Sequence, residues 1–282
     1  MIVARTKRAL RDALAPHRPH ARIGFVPTMG ALHHGHVALF DAARAASDVV
    51  VASVFVNPTQ FDDPADLTVY PRPEAQDAAM ARQAGVDVLF EPAAEEVYPP
   101  GHATRVVVAG AAEGFEGASR PGHFDGVATV CLKLFHMVEP SAAYFGQKDA
   151  QQIAVVRQMT RDLDLNLALH VVPTVRDDDG LALSSRNARL SPAERAAALA
   201  IPRALGAALA AHGAGADPAA AARAALDDTG LGVEYVEVAQ LGGVATLVVA
   251  ARAGQIRLID NVPLDDPALA GLAVPASHPL TG

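Results

Sequence analysis

Residues 23–40 read I-G-F-V-P-T-M-G-A-L-H-H-G-H-V-A-L-F. Ile23 to Val26 form a short apolar run suited to a buried strand, which Pro27 is expected to stop. A turn carrying Gly30 and Gly35 follows, and then a helix beginning near Gly35 or His36. His33 and His36 therefore stand at a strand-to-helix junction. A helix N-terminus presents unpaired N–H groups and the positive end of the peptide dipoles, which together favour phosphate. Glycines let a ligand approach the backbone with no Cβ in the way. Histidines at such a place can add positive charge to a triphosphate. The chemistry that suits this junction is nucleotidyl transfer. Two plain alternatives stand beside it: ordinary turn histidines, or the start of a metal site. The second lacks a partner Cys-x-x-Cys or His-x-x-x-His.

Outward from this segment, apolar runs at 49–56, 86–90, 142–145 and 167–172 alternate with helical periodicity at 36–46, 74–84, 126–138 and 150–163. Strands that are apolar throughout and separated by helices indicate a parallel sheet covered on both faces. Ligands of such sheets sit beyond the carboxyl ends of the strands. The pattern changes near Thr174. A polar turn (176–180), a Ser191-Pro192 helix start and alanine-rich helices lead to strand-like runs at 233–238 and 246–259, the latter broken at Ala253-Gly254. The expected fold is α/β: a Rossmann-like parallel sheet flanked by helices over 1–173, then a smaller α+β domain over 174–282. No flexible linker separates them, so a tight junction with the site between the domains is expected.

Composition narrows the partners. Of 282 residues, 51% are apolar, a share inflated by alanine, and no stretch is expected to cross a membrane, which takes ~20 apolar residues. The start, M-I-V-A-R-T-K-R, lacks the apolar core of a secretory signal. The single cysteine, Cys131, reads as a small core residue, and one thiol fits a reducing, cytoplasmic compartment. Acidic residues outnumber basic ones 31 to 23, and tryptophan is absent, so no generic nucleic-acid surface is expected. Small nucleotides in a focused pocket fit better than polymers.

Further polar segments fall at expected strand ends. In F-V-N-P-T-Q-F (55–61), Asn57 and Gln60 offer amides suited to a carboxylate or hydroxyl; a plain Asn-Pro turn is the alternative. Tyr70-Pro71-Arg72 reads as a loop. G-A-S-R-P-G-H-F (117–124) carries Arg120 and His123 and reads as an anion contact, a mobile cover or a solvated loop. In Y-F-G-Q-K-D-A-Q-Q (144–152), Lys148 stands where a helix begins and can neutralise a phosphate, with Gln152 a turn further on; a surface Lys-Asp pair is the alternative. D-G-L-A-L-S-S-R-N (179–187) places Ser184 and Ser185 beside Arg186, able to stabilise charge on departing pyrophosphate, or simply a capped helix with an exposed arginine. Asp177, Asp178 and Asp179 read as a solvated turn.

In order and wording, these motifs closely resemble the pantothenate synthetase (pantoate–β-alanine ligase) family. The matching pieces are P-T-M-G-A-L-H-x-G-H (27–36), F-V-N-P-T-Q-F (55–61), Y-P-R (70–72), G-A-S-R-P-G-H-F-D-G-V (117–127), F-G-Q-K-D-x-Q-Q (145–152), D-G-L-A-L-S-S-R-N (179–187) and L-I-D-N (258–261). The resemblance implies condensation of pantoate with β-alanine through a pantoyl adenylate, with ATP as substrate, Mg2+ as its companion ion and a homodimeric enzyme. It implies an ATP site of Met29, Gly30, Ala31, Leu32, His33, His34, Gly35 and His36, with Gly146, Gln147, Lys148, Asp149, Val175, Leu183, Ser184, Ser185 and Arg186. His36, His33, Lys148 and Arg186 would carry the catalysis; Gln60, Gln152 and Asn57 would hold pantoate or β-alanine. The protein ligands of magnesium are not implied, with Asp77 a weak candidate. His34 stands where the family often carries an acid, Leu183 where it often carries methionine, and His136 where asparagine is common.

Overall fold

The computed structural model describes residues 1–18, 20–61 and 64–265. The chain divides into two compact units, Met1–Val175 and Arg176–Gly282. In the first, the apolar runs become β1 (Ile2–Ala4), β2 (Ile23–Thr28), β3 (Val49–Val54), β4 (Val88–Phe90), β5 (Ala142–Gly146) and β6 (Ala168–Val172). They form one sheet in the order β1-β4-β3-β2-β5-β6, parallel at every pairing.

Side chains alternate across this sheet with the period of two that strands impose. Phe25, Val51, Phe90 and Ala143 pack on one face with Leu134 and Phe135 of the helix His123–Val138 and Met159 of the helix Ala150–Asp162. Their neighbours Val26, Ala52, Leu89 and Tyr144 pack on the other with Leu39, Phe40 and Ala43 of the helix His34–Ala46. Both faces are therefore covered, which is why the strands read as continuous apolar runs. The order reverses at β2: the chain moves to β3 on one side and returns to β5 on the other. In parallel sheets of this kind ligands bind beyond the carboxyl ends of the strands, at the point where the order reverses.

Several local expectations are corrected. Pro27 does not stop β2, which runs to Thr28. On the β5 side, β2 is paired only at Gly24 and Phe25, so Pro27 lies where that ladder has ended, an edge-like position that tolerates a missing N–H. β1 was not anticipated, because a three-residue edge strand with Ile2 and Val3 exposed carries no periodicity. The helices Pro64–Val69, Ala94–Val97 and Phe115–Ser119 are likewise too short to show a period. The helix expected from 126 begins at His123.

In the second unit, helices Pro192–Ala198, Ala200–Gly213 and Pro218–Leu226 pack on an antiparallel meander of β7 (Gly232–Leu241), β8 (Val244–Ala253) and β9 (Ile256–Pro263). Ser191 and Glu194 form a reciprocal capping box ahead of Pro192. Against expectation, the 22 residues Pro192–Gly213 are long and apolar enough, by composition, to span a bilayer. They carry Arg195 and Arg203, and their apolar side, Ala198, Ile201, Ala204, Leu205 and Ala208, is buried with Val236, Leu247, Val249 and Leu258 of the meander. This is a core helix pair.

The segment 176–187 is held by ion pairs inside this unit. Arg176 grips Asp260 of β9 with two bonds (Nη1–Oδ2 2.6 Å, Nη2–Oδ1 3.2 Å) and donates to the Gly180 carbonyl at 3.2 Å. Asp178 and Asp179 are exposed, as a solvated turn implies, and Asp177 and Asp179 also accept from Arg195, at 2.7 and 2.9 Å. Asp260 is 2% exposed, so Asp260→Ala strands the Arg176 guanidinium and should cost about 3 kcal/mol in urea unfolding; a loss below ~0.5 kcal/mol, ordinary for a surface change, would show the pair to be idle.

Candidate active site

The carboxyl end of β2 feeds a loop with unusual backbone: Gly30 has φ +84° and Ala31 φ +50°. A Cβ on Gly30 would stand 2.8 Å from an oxygen of Asp77. Asp77 lies in the first turn of the helix Glu74–Gln83 and is 2% exposed. Its Oδ2 accepts the Ala31 N–H at 2.9 Å and its Oδ1 the Leu32 N–H at 2.7 Å. The suggested magnesium candidate is thus a backbone anchor with both oxygens engaged. Among the described residues no group of three His, Cys, Asp or Glu side chains could hold a metal ion.

With the loop pinned, the next helix starts at His34, one or two residues earlier than expected, with His33 as its N-cap. The Nδ1 of His33 accepts the Gly35 N–H at 3.1 Å, and the Nδ1 of His36 accepts the His33 N–H at 3.2 Å. Two imidazoles thus make a reciprocal capping box, usually the work of a hydroxyl and a carboxylate. An Nδ1 that accepts leaves the neutral ring's proton on Nε2. The rings lie 4.1 Å apart. Burial, and then the neighbouring His33, lower the His36 pKa to about 3. The expected positive charge is therefore absent from His36 at neutral pH; the ring is an uncharged Nε2–H donor. His34, between them, is exposed.

At the end of β3, Asn57 is 1% exposed and saturated by the protein. Its Nδ2 donates to Gln60 Oε1 (3.0 Å) and the Gly126 carbonyl (3.1 Å); its Oδ1 accepts from Tyr98 Oη and Thr59 Oγ1, both at 2.9 Å. Gln60, 7% exposed, also donates through Nε2 to Met29 Sδ at 2.9 Å. This spans the mouths of β2 and β3. Gly126 permits the arrangement, since a Cβ there would meet the Thr59 carbonyl oxygen at 2.4 Å.

β5 ends at Gly146, followed by the single turn Gln147–Asp149 and the helix Ala150–Asp162. A Cβ on Gly146 would meet nothing within 4 Å. Lys148 and Gln152 are half-buried and Asp149 is exposed. Gln151, which sequence reasoning passed over, is buried; it accepts the Glu116 N–H and donates to the carbonyls of Ala111 and Glu113. Val175, half-buried, closes the first unit. In the second unit, Ser184 Oγ accepts the Arg186 N–H at 3.3 Å and caps the turn Ser185–Arg189, with Leu183 to Arg186 half-buried.

The capped imidazoles follow β2, Asn57 and Gln60 follow β3, and Lys148 follows β5. The profile of the Pantoate-beta-alanine ligase family covers residues 2–263. The chain belongs to the pantoate–β-alanine ligase family. The pantothenate synthetase of Rhizorhabdus wittichii is 51% identical over 279 residues, 94% of this chain and 99% of that protein. That of Corynebacterium efficiens is 49% identical over 288 residues, with the same two shares. The crystal structure of the Thermus thermophilus enzyme superposes with a TM-score of 0.89 at 46% identity, covering 94% of this chain and 99% of the other. The Francisella tularensis ligase, solved with beta-gamma ATP and beta-alanine, has a TM-score of 0.81 at 35% identity over 94% and 98% of the two chains.

Two predictions follow from this geometry. The folded His36 titrates at about 3 and an unfolded histidine near 6.5, so between those values the unfolded chain binds more protons and stability falls as the pH drops. His36 ring resonances should stay at their neutral position from pH 8 to 5, and a midpoint near 6.5 would contradict the capping role. In denaturation, Gly126→Ala should cost about 2 kcal/mol through overpacking, whereas Gly146→Ala should stay within ~0.5 kcal/mol of the parent; equal losses would show that neither contact geometry is as described.

Proposed function

We propose that the chain condenses pantoate with β-alanine to pantothenate, using ATP and releasing AMP and pyrophosphate through pantoyl adenylate. The observation that carries this is the pair of capped imidazoles at the reversal of the sheet, in a chain of this family. A carboxylate does not acylate an amine, because oxide is not a leaving group at neutral pH. Adenylation cures this. A pantoate carboxylate oxygen attacks the α-phosphorus of ATP, and the bond to the β-phosphate oxygen breaks. The β-alanine amine then attacks the acyl carbon, the C–O bond to AMP breaks, and the amine proton is lost.

No side chain need become a nucleophile. The protein holds two anions together and stabilises charge as it moves onto pyrophosphate. His33 and His36 donate through Nε2–H to phosphate oxygens at the N-terminus of their helix, within the segment Met29 to His36. Lys148 adds a full charge from the β5 side, with Gly146, Gln147 and Asp149 beside the ribose and phosphates and Val175 near the nucleotide. Leu183, Ser184, Ser185 and Arg186 are the second unit's contribution to ATP. Gln60 and Gln152 hold pantoate, Gln60 also meets β-alanine, and Asn57 supports Gln60 from behind. The first unit is thus the nucleotide and pantoate domain and the second a lid. Mg2+ arrives as part of the Mg·ATP substrate. The enzyme works in the cytoplasm as a homodimer.

Mixing enzyme, Mg·ATP and pantoate without β-alanine should release a burst of about one equivalent of pyrophosphate, with turnover on adding the amine. Silence with pantoate but release with another acid would keep adenylation and discard the substrate. His36→Ala should lower the rate of adenylate formation by about 100-fold or more while ATP affinity changes far less. Equal losses in both would refute a transition-state role.

A further inference from the structure

We propose that His123 is a positioning residue for the pantoate carboxylate, acting through the main-chain carbonyl of Gln60. This rests on the reading of Gln60 as a pantoate amide and adds how that amide is aimed. The segment 117–124 was open between an anion contact, a cover and a solvated loop, and the structure turns it inward. His123, 7% exposed, stands at the first position of the helix His123–Val138. Its Nδ1 lies 2.8 Å from the Gln60 carbonyl oxygen, 63 residues away in sequence. Arg120 donates from Nη2 to the same oxygen at 3.1 Å, and its Nη1 lies 3.3 Å from His123 Nε2.

These distances set the tautomer. A guanidinium can only donate, so Nε2 must accept, and the ring's proton sits on Nδ1, directed at the Gln60 carbonyl. A protonated ring would turn an N–H toward Arg120, and burial first, with Arg120 second, lowers the His123 pKa to about 4, so the neutral form is the one present. Glu116 and Asp149 also face the ring and oppose that shift without reversing it. Both lone pairs of the Gln60 carbonyl are thereby occupied, one by each donor. The side chain of the same residue is oriented by Asn57 and Met29. Gln60 is held at both ends, leaving one amide N–H and one lone pair of Oε1 for a ligand. The loop carrying His33 and His36 is pinned separately by Asp77. Loss of His123 should therefore loosen the pantoate amide and spare the phosphate donors.

The test is a set of steady-state measurements with pantoate and ATP varied separately. His123→Ala and His123→Gln should raise the pantoate KM about tenfold, the worth of one buried hydrogen bond, with the ATP KM within about twofold. His123→Asn, whose amide N–H can occupy the Nδ1 position, should recover most of the pantoate KM. Gln60→Ala should raise it too, and adding His123→Ala to Gln60→Ala should change it no further, since the histidine acts only through that residue. Equal rises in both KM values, no better behaviour of Asn than Ala, or additive losses in the double variant would each overturn the positioning role. An unchanged pantoate KM in Gln60→Ala would instead sink the assignment of Gln60 to pantoate and this proposal with it. If His123→Ala does not fold, the Asn and Gln variants carry the comparison.

Discussion

The site hangs on one buried carboxylate. Asp77 receives the N–H groups of Ala31 and Leu32, and by doing so holds a loop that would otherwise relax. A non-glycine residue such as Ala31 at positive φ costs roughly 1–2 kcal/mol. Each hydrogen bond to a charged group contributes about 1.5–3 kcal/mol, so two of them outweigh the strain. With the loop fixed, the helix begins at His34, and the two imidazoles must serve as its cap. Their Nδ1 atoms accept from the backbone, which puts the proton of each neutral ring on Nε2. The direction in which the site donates hydrogen bonds thus follows from an anchor on a different helix.

A neutral His36 at a helix N-terminus also makes electrostatic sense. A cation at the positive end of the peptide dipoles, next to a second imidazole and partly out of water, is disfavoured in the free protein. An uncharged ring at His36 avoids that repulsion and keeps its Nε2–H as a donor. Fixed donors need no reorganisation as charge develops on a leaving phosphate, which is the property a transferase of this kind requires. The half-site around Gln60 follows the same rule, with its amide fixed by Asn57 and Met29. In the second unit, Arg176–Asp260 and Arg195 with Asp177 and Asp179 hold the serine–arginine segment by contacts internal to that unit.

The expected α/β class, with a parallel sheet and a smaller α+β part, was legible because both faces of the sheet are covered and its strands are apolar throughout. The H-x-G-H junction was legible because its pieces are adjacent in sequence. Asp77 was not: it reads as an ordinary acid in the first turn of a helix, and its partners lie 45 and 46 residues away. The segment with Arg120 and His123 reads equally as an anion contact, a cover or a solvated loop, because their shared target on Gln60 is a main-chain carbonyl, which no side-chain pattern reveals. The exposed turn at Asp178 and Asp179 was legible, but the pairing of Asp177 and Asp179 was not, because Arg195 sits on a helix further along the chain. Pro27 misled because its tolerance depends on where the neighbouring strand stops.

Adenylation requires that a carboxylate oxygen of pantoate bonds to the α-phosphorus of ATP. Running the complete reaction with pantoate labelled with 18O in both carboxylate positions tests it most directly, with mass spectrometry of the products. Passage through pantoyl adenylate gives AMP carrying one 18O atom, pantothenate retaining the other in its amide carbonyl, and unlabelled pyrophosphate. Label in an inorganic phosphate product, with none in AMP, would mean an acyl phosphate route and would contradict adenylation.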